Sequence, residues 1–155
     1  MDKRDPCLDI KISLAGLSCL KGIAIDNLSS FFALKKSLAG EILFKEGDRA
    51  DWMAFIVSGK LEIKKQTEFH DKYFVLSILG SGSFIGERAI LNKGELPRSA
   101  TATALEETCL AVMKWDSFEE LLEKFPDIAA KLLRVLLNEV SLRLIGANNR
   151  MASVF

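Results

Sequence analysis

The sequence predicts a mainly β protein, a β-roll or jelly-roll barrel of about eight strands with an N-terminal helical segment and a long C-terminal helix. Three observations carry this. Between residues 31 and 115, short apolar runs alternate with glycine-bearing turns, the grammar of a small antiparallel barrel. Beyond that stretch the apolar spacing lengthens to steps of three and four, as in a helix. The 155-residue chain is 49% apolar and 27% charged, an ordinary globular composition and one domain's worth of core.

Three regions follow: an N-terminal segment over residues 1–30, the barrel over 31–115, and C-terminal helices over 116–155. In the first, Leu8, Ile10, Ile12, Leu14 and Leu17 fit neither period cleanly, and Gly16 and Gly22 interrupt them. Strands are expected at residues 32–36, 42–44, 54–57, 61–64, 73–79, 99–104 and 109–113. Gly40, Gly47, Gly59, Gly80 and Gly82 mark the turns between them, where glycine reaches positive φ cheaply. Ser117 and Glu120 read as a capping box for a short helix, and Pro126-Asp127 as the first turn of a long one. On that helix Ala129, Leu133, Leu136, Val140, Leu144, Ala147, Met151 and Val154 form a nearly heptad seam. Leu132, Val135, Leu137 and Ile145 add a second apolar face, so one face should pack on the barrel and the other on a partner.

Lysine plus arginine equals aspartate plus glutamate at 21 each, which removes any bulk attraction to nucleic acid or an anionic membrane. Cys7, Cys19 and Cys109 are odd in number and widely spaced, so reduced thiols in a cytoplasmic protein are expected and a disulfide is not. Charges at Asp2, Lys3, Arg4, Asp5 and Lys11 leave no signal-peptide core, and no apolar run is long enough to span a membrane. The single histidine, His70, sits in a polar turn. One histidine cannot supply a metal enzyme's ligand set, and no activated nucleophile is evident. The expectation is a protein that is not an enzyme and has no metal or cofactor.

The densest chemistry lies between Phe84 and Thr101. Gly86 precedes Glu87-Arg88-Ala89-Ile90-Leu91, as a loop entering a short helix would. Arg98 can engage two phosphate oxygens at once, and charge-assisted bonds of this kind are worth roughly 1.5–3 kcal/mol. Pro97 restrains the backbone before it, and Ser99 adds a hydroxyl. Glu87 is a pure acceptor that suits a sugar hydroxyl and would repel a phosphate. A structural ion pair from Arg98 to Glu87 or another acid is the competing reading.

Phe84-Ile85-Gly86-Glu87 followed by Pro97-Arg98-Ser99-Ala100 resembles the phosphate-binding cassette of cyclic nucleotide-binding domains. Residues 39–48, Ala-Gly-Glu-Ile-Leu-Phe-Lys-Glu-Gly-Asp, resemble that family's first turn, and residues 56–63, Ile-Val-Ser-Gly-Lys-Leu-Glu-Ile, its glycine hairpin. The resemblance covers roughly residues 31 to 145. It implies that Gly86 and Ala100 offer backbone donors, Arg98 and Ser99 hold the cyclic phosphate, and Glu87 accepts the ribose 2′-hydroxyl. Ile85 and the strand from Ser99 would wall the sugar pocket, and Asn148 would meet the base from the long helix. Serine after the arginine favours cyclic AMP (cAMP) over cyclic GMP (cGMP), since threonine often stands there in cGMP-selective kinase sites. Arg88 departs from the pattern, replacing an aliphatic residue.

The resemblance also implies a regulatory domain that signals by movement of its C-terminal helix. A homodimer through that helix and a separate downstream protein are the expected partners, besides the nucleotide. Because the chain ends at Phe155, no helix-turn-helix follows and direct nucleic-acid binding is not expected. The alternative is a barrel with an unoccupied pocket, serving as a dimerisation or scaffold module.

Overall fold

The computed structural model describes residues 7–69 and 71–154; the expectations for residues 1–6 and His70 lie outside the described residues. Eight strands form two four-stranded antiparallel sheets, ordered β1-β8-β3-β6 and β2-β7-β4-β5. The strands are β1 Ala33–Ser37, β2 Ile42–Phe44, β3 Trp52–Ser58, β4 Leu61–Gln66, β5 Tyr73–Leu79, β6 Phe84–Ile85, β7 Thr101–Ala104 and β8 Thr108–Lys114. Four helices flank them: α1 Ile10–Ala15, α2 Ile25–Leu28, α3 Trp115–Lys124 and α4 Pro126–Val154. The two-residue β6 escaped the sequence reading because it is too short to show a period. The strand expected from Ser99 begins at Thr101, Ser99 and Ala100 forming a bend.

Strand β3 explains how the layers assemble. Its side chains alternate between faces, and both faces are covered, so it reads as an unbroken apolar run. Ala54 and Ile56 join Leu61, Ile85, Ala102 and Leu110 between the two sheets. Met53 and Phe55 point the other way, into a larger cluster with Leu14, Leu28, Phe118, Leu121 and Leu132 from the helices. Each such side chain contributes roughly 1.5–3 kcal/mol on full burial. The Ser58-Gly59 turn carries the chain from one sheet to the other. Gly59 has φ 97°, and a Cβ there would lie 2.7 Å from the Thr108 Cα, so no larger residue fits.

Three sequence expectations are corrected here. Cys7 and Cys109 form a disulfide, with Cα atoms 5.7 Å apart across a sequence separation of 102 residues. The N-terminal segment folds back onto β8, a closure that local spacing rules cannot see; Cys19 remains a free thiol. Second, Ser117 is not a cap: α3 already begins at Trp115, with Lys114 in the capping position and no side-chain cap bond. The Trp115 N–H instead donates to the Asp51 carbonyl at 2.9 Å, which binds the helix start to the loop before β3.

Third, the two faces of α4 are sorted differently. Ile128, Ala129, Leu132 and Leu136 are buried against the barrel, whereas Leu137, Val140, Leu144, Ile145, Met151 and Val154 are exposed. Ala129 and Leu136 therefore leave the expected partner seam, and Leu137 and Ile145 join the exposed set. Helix α4 runs 29 residues, about 43 Å at 1.5 Å per residue. Among the described residues no helix is long and apolar enough to cross a membrane.

Candidate functional site

The site is built where β6 ends. Phe84 is buried and packs edge-on to Phe55, with ring centroids 5.7 Å apart. Pairing of Ala54 with Ile85 fixes the strand against β3. Gly86 then turns the chain with φ 70°, a left-handed conformation that L side chains adopt only at a cost. A Cβ at this position would collide with Nη1 of Arg98 and come within 3.1 Å of the Trp52 carbonyl. Glycine is thus required twice over, for its backbone and for the guanidinium beside it. A 3-10 turn over Glu87–Ile90 follows, with Ala89 and Ile90 buried and Glu87 half-buried at the opening. Arg88, the departure from the pattern, is exposed.

Among the described residues Arg98 is the one charged side chain that is buried, at 4% exposed. Its backbone is clamped to the turn at 45–48: its N–H donates to the Asp48 carbonyl and its carbonyl accepts from Gly47, both at 2.8 Å. The guanidinium sits over the corner made by two aromatic rings packed edge-on to each other, 4.2 Å from the centroid of Phe44 and 4.7 Å from that of Trp52. Nη2 donates to the Trp52 carbonyl at 2.7 Å. Nε is buried with no hydrogen-bond partner. Burial pushes the Arg98 pKa down, opposed by the more distant charges of Asp51, Asp48 and Glu87. No carboxylate is within ion-pair distance of Arg98 among the described residues. The competing Arg98–Glu87 ion pair is therefore not formed.

Ser99 and Ala100 complete the loop, and strand β4 holds it. Lys65 Nζ donates to the Ser99 carbonyl at 2.9 Å and to Glu46 Oε1 at 2.8 Å. Glu46 Oε2 accepts the Gln66 N–H at 3.1 Å, and the Glu46 N–H donates to Thr101 Oγ1 at 2.9 Å. The Lys65 hydrogen bond, followed by that of Gln66, holds the Glu46 carboxyl below its ordinary pKa.

A cavity of about 170 Å³ is lined by Ile85, Gly86, Glu87, Arg98, Ser99 and Ala100 among others. Six of the seven site residues expected from the sequence thus meet in one place. Ile63, Leu76 and Leu79 supply an apolar wall from the β4–β5 hairpin. Asn148 is the exception: it is exposed on α4 and outside the cavity lining. The residue that α4 does bring to the cavity is Arg143. Asn148 lies five positions on, roughly 140° around the helix, and faces away. Arg143 Nη2 donates to the Phe84 carbonyl at 2.8 Å, and its guanidinium stacks 4.6 Å from the Phe84 ring. The sequence signal for Arg143 is its helical spacing from buried Leu136, with one charge set between Leu142 and Leu144.

The chemistry of this cavity is that of a binder for a small anion with an acceptor-seeking hydroxyl. Its lining holds a buried cation whose Nε has no partner, a carboxylate and apolar walls. The Cyclic nucleotide-binding domain family matches residues 34–125, and the chain belongs to that family. Over 132 residues it is 31% identical to a CRP-like cAMP-activated global transcriptional regulator of Mycobacterium tuberculosis, covering 81% of this chain and 56% of that protein. Over 120 residues it is 32% identical to a cAMP-dependent protein kinase regulatory subunit of Debaryomyces hansenii, covering 77% of this chain and 24% of that one. The crystal structure of a cyclic nucleotide-binding domain from Methylobacillus flagellatus superposes with a TM-score of 0.82 at 24% identity, over 94% of this chain and 85% of that one. The chain spans about half the length of the bacterial regulators it matches.

Proposed function

We propose that this domain binds cAMP in the cavity around Arg98 and transmits occupancy through α4, without catalysing a reaction. The observation that carries the reading is the buried Arg98 guanidinium, which has no carboxylate partner and an unfilled Nε. An unpaired buried cation is costly, and a cyclic phosphate supplies the missing charge and acceptors. Arg98 and Ser99 would hold that phosphate, with backbone donors from Gly86 and Ala100. Glu87 would accept the ribose 2′-hydroxyl, and Ile85 would wall the sugar. Arg88, though exposed, also lines the cavity and adds a second cation at its rim. The cAMP-linked names of the relatives and the serine at position 99 favour cAMP over cGMP.

The enclosed space of about 170 Å³ is below the roughly 300–1,000 Å³ of most small-molecule sites. A nucleotide therefore fits only if α4 or the β4–β5 hairpin moves. Arg143 ties α4 to the Phe84 carbonyl, so displacement of the helix would change the surface offered elsewhere. Such a switch requires that the nucleotide bind two helix positions with different affinities. The exposed apolar residues of α4 would serve a homodimer, with output to a separate protein.

Calorimetric titration with cAMP and cGMP tests the binding claim. Wild type is expected to bind cAMP more tightly than cGMP, and Arg98→Ala to lose about 3 kcal/mol, roughly a hundredfold. Heat from neither nucleotide would favour the scaffold reading instead.

A further inference from the structure

We propose a second small-molecule site, separate from the cassette, that takes an organic phosphate. A cavity of about 440 Å³ lies between the turn at Lys21-Gly22-Ile23, the Gly82 turn before β6, and α4. It is larger than the cassette cavity and within the usual range for small-molecule sites, roughly 300–1,000 Å³. Ile23, Phe84 and Val135 line it with apolar surface. Lys21, Lys131 and Arg134 stand around it, brought together from the N-terminal segment and from successive positions of one α4 face.

None of these three cationic side chains makes an ion pair, hydrogen bond or ring contact among the described residues. The one acid in the lining, Glu139, faces Arg143 at 3.4 Å. Three cations against one engaged carboxylate leave an excess of positive charge at a single concavity, in a chain whose charges sum to zero. Arginine and lysine together suit phosphate oxygens, by fork geometry and by point charge respectively. The apolar lining calls for an organic, preferably aromatic, body attached to that phosphate. A concave site of this size also favours a small molecule over an acidic protein surface.

The probe is 1-naphthyl phosphate, with inorganic phosphate and 1-naphthol as the two halves of its chemistry. Binding is followed by calorimetry on wild type, Arg98→Ala and the surface variant Lys131→Glu/Arg134→Glu. Wild type and Arg98→Ala should bind 1-naphthyl phosphate equally, and the double variant at least tenfold more weakly. Each half-probe alone should bind at least tenfold more weakly than the whole. Loss of binding in Arg98→Ala would assign the probe to the cassette and overturn the second site. Equal binding by the double variant, or no binding by wild type, would overturn it as well. The double variant's thermal melt and cAMP affinity, both expected to match wild type, show that it is folded.

Discussion

At the scale of single residues, the account rests on the pairing of Gly86 with Arg98. Only a residue without a Cβ leaves room for the guanidinium, and only a buried guanidinium needs an anion to complete it. Gly86→Ala should destabilise the domain by about 1–2 kcal/mol from the left-handed backbone alone. It should also push Arg98 out of position. The expected result is a melting temperature several degrees lower together with weakened cAMP binding; wild-type values for both would show that the close approach is not needed. Arg98→Lys should not rescue binding, because an ammonium cannot reproduce the planar fork that packs on the Phe44 and Trp52 rings. The sequence already exposed these residues as types in a pattern. It could not reveal that Arg98 packs into the corner of Phe44 and Trp52, because those contacts join positions roughly 50 residues apart on three separate segments.

At the scale of elements, the cassette is held from two sides, by β4 through Lys65 and by α4 through Arg143. The Glu46–Lys65 link makes the first hold sensitive to acid. The folded pKa of Glu46 lies below its unfolded value, so its contribution is complete above the unfolded value and is lost as pH falls through the folded one. Denaturant unfolding at neutral and acid pH should show a shallower acid loss for Glu46→Gln than for wild type; identical profiles would remove the carboxylate from the account. On α4, Val140 lies in the exposed apolar set. Val140→Glu should convert a dimer to a monomer in sedimentation, and a monomeric wild type would refute the seam. The periods of two and of three to four made most strands and both C-terminal helices legible. Boundaries were lost where hydrogen bonds override local signals, as when the Asp51 carbonyl starts α3 ahead of Ser117. Asn148 lies outside the cavity lining, since Arg143, not Asn148, follows by helical spacing from buried Leu136.

At the scale of the whole molecule, the disulfide joins the N-terminal segment to the central strand β8 and closes a loop of 102 residues. Chain entropy in the unfolded state makes such a link worth about 2–5 kcal/mol. Reduction, or Cys7→Ser, should lower unfolding free energy by that amount, and no change on reduction would mean the bond contributes nothing. This long-range closure was invisible in the sequence, where only local cysteine motifs can be read. If a cyclic phosphate completes Arg98, as proposed, Trp52 reports on it directly because its ring lies 4.7 Å from that guanidinium. In a Trp115→Phe background, which leaves Trp52 as the sole tryptophan, cAMP should change the fluorescence saturably, and Arg98→Ala should abolish the response. Calorimetric binding of cAMP with an unchanged Trp52 signal would contradict the account, by placing the nucleotide away from Arg98.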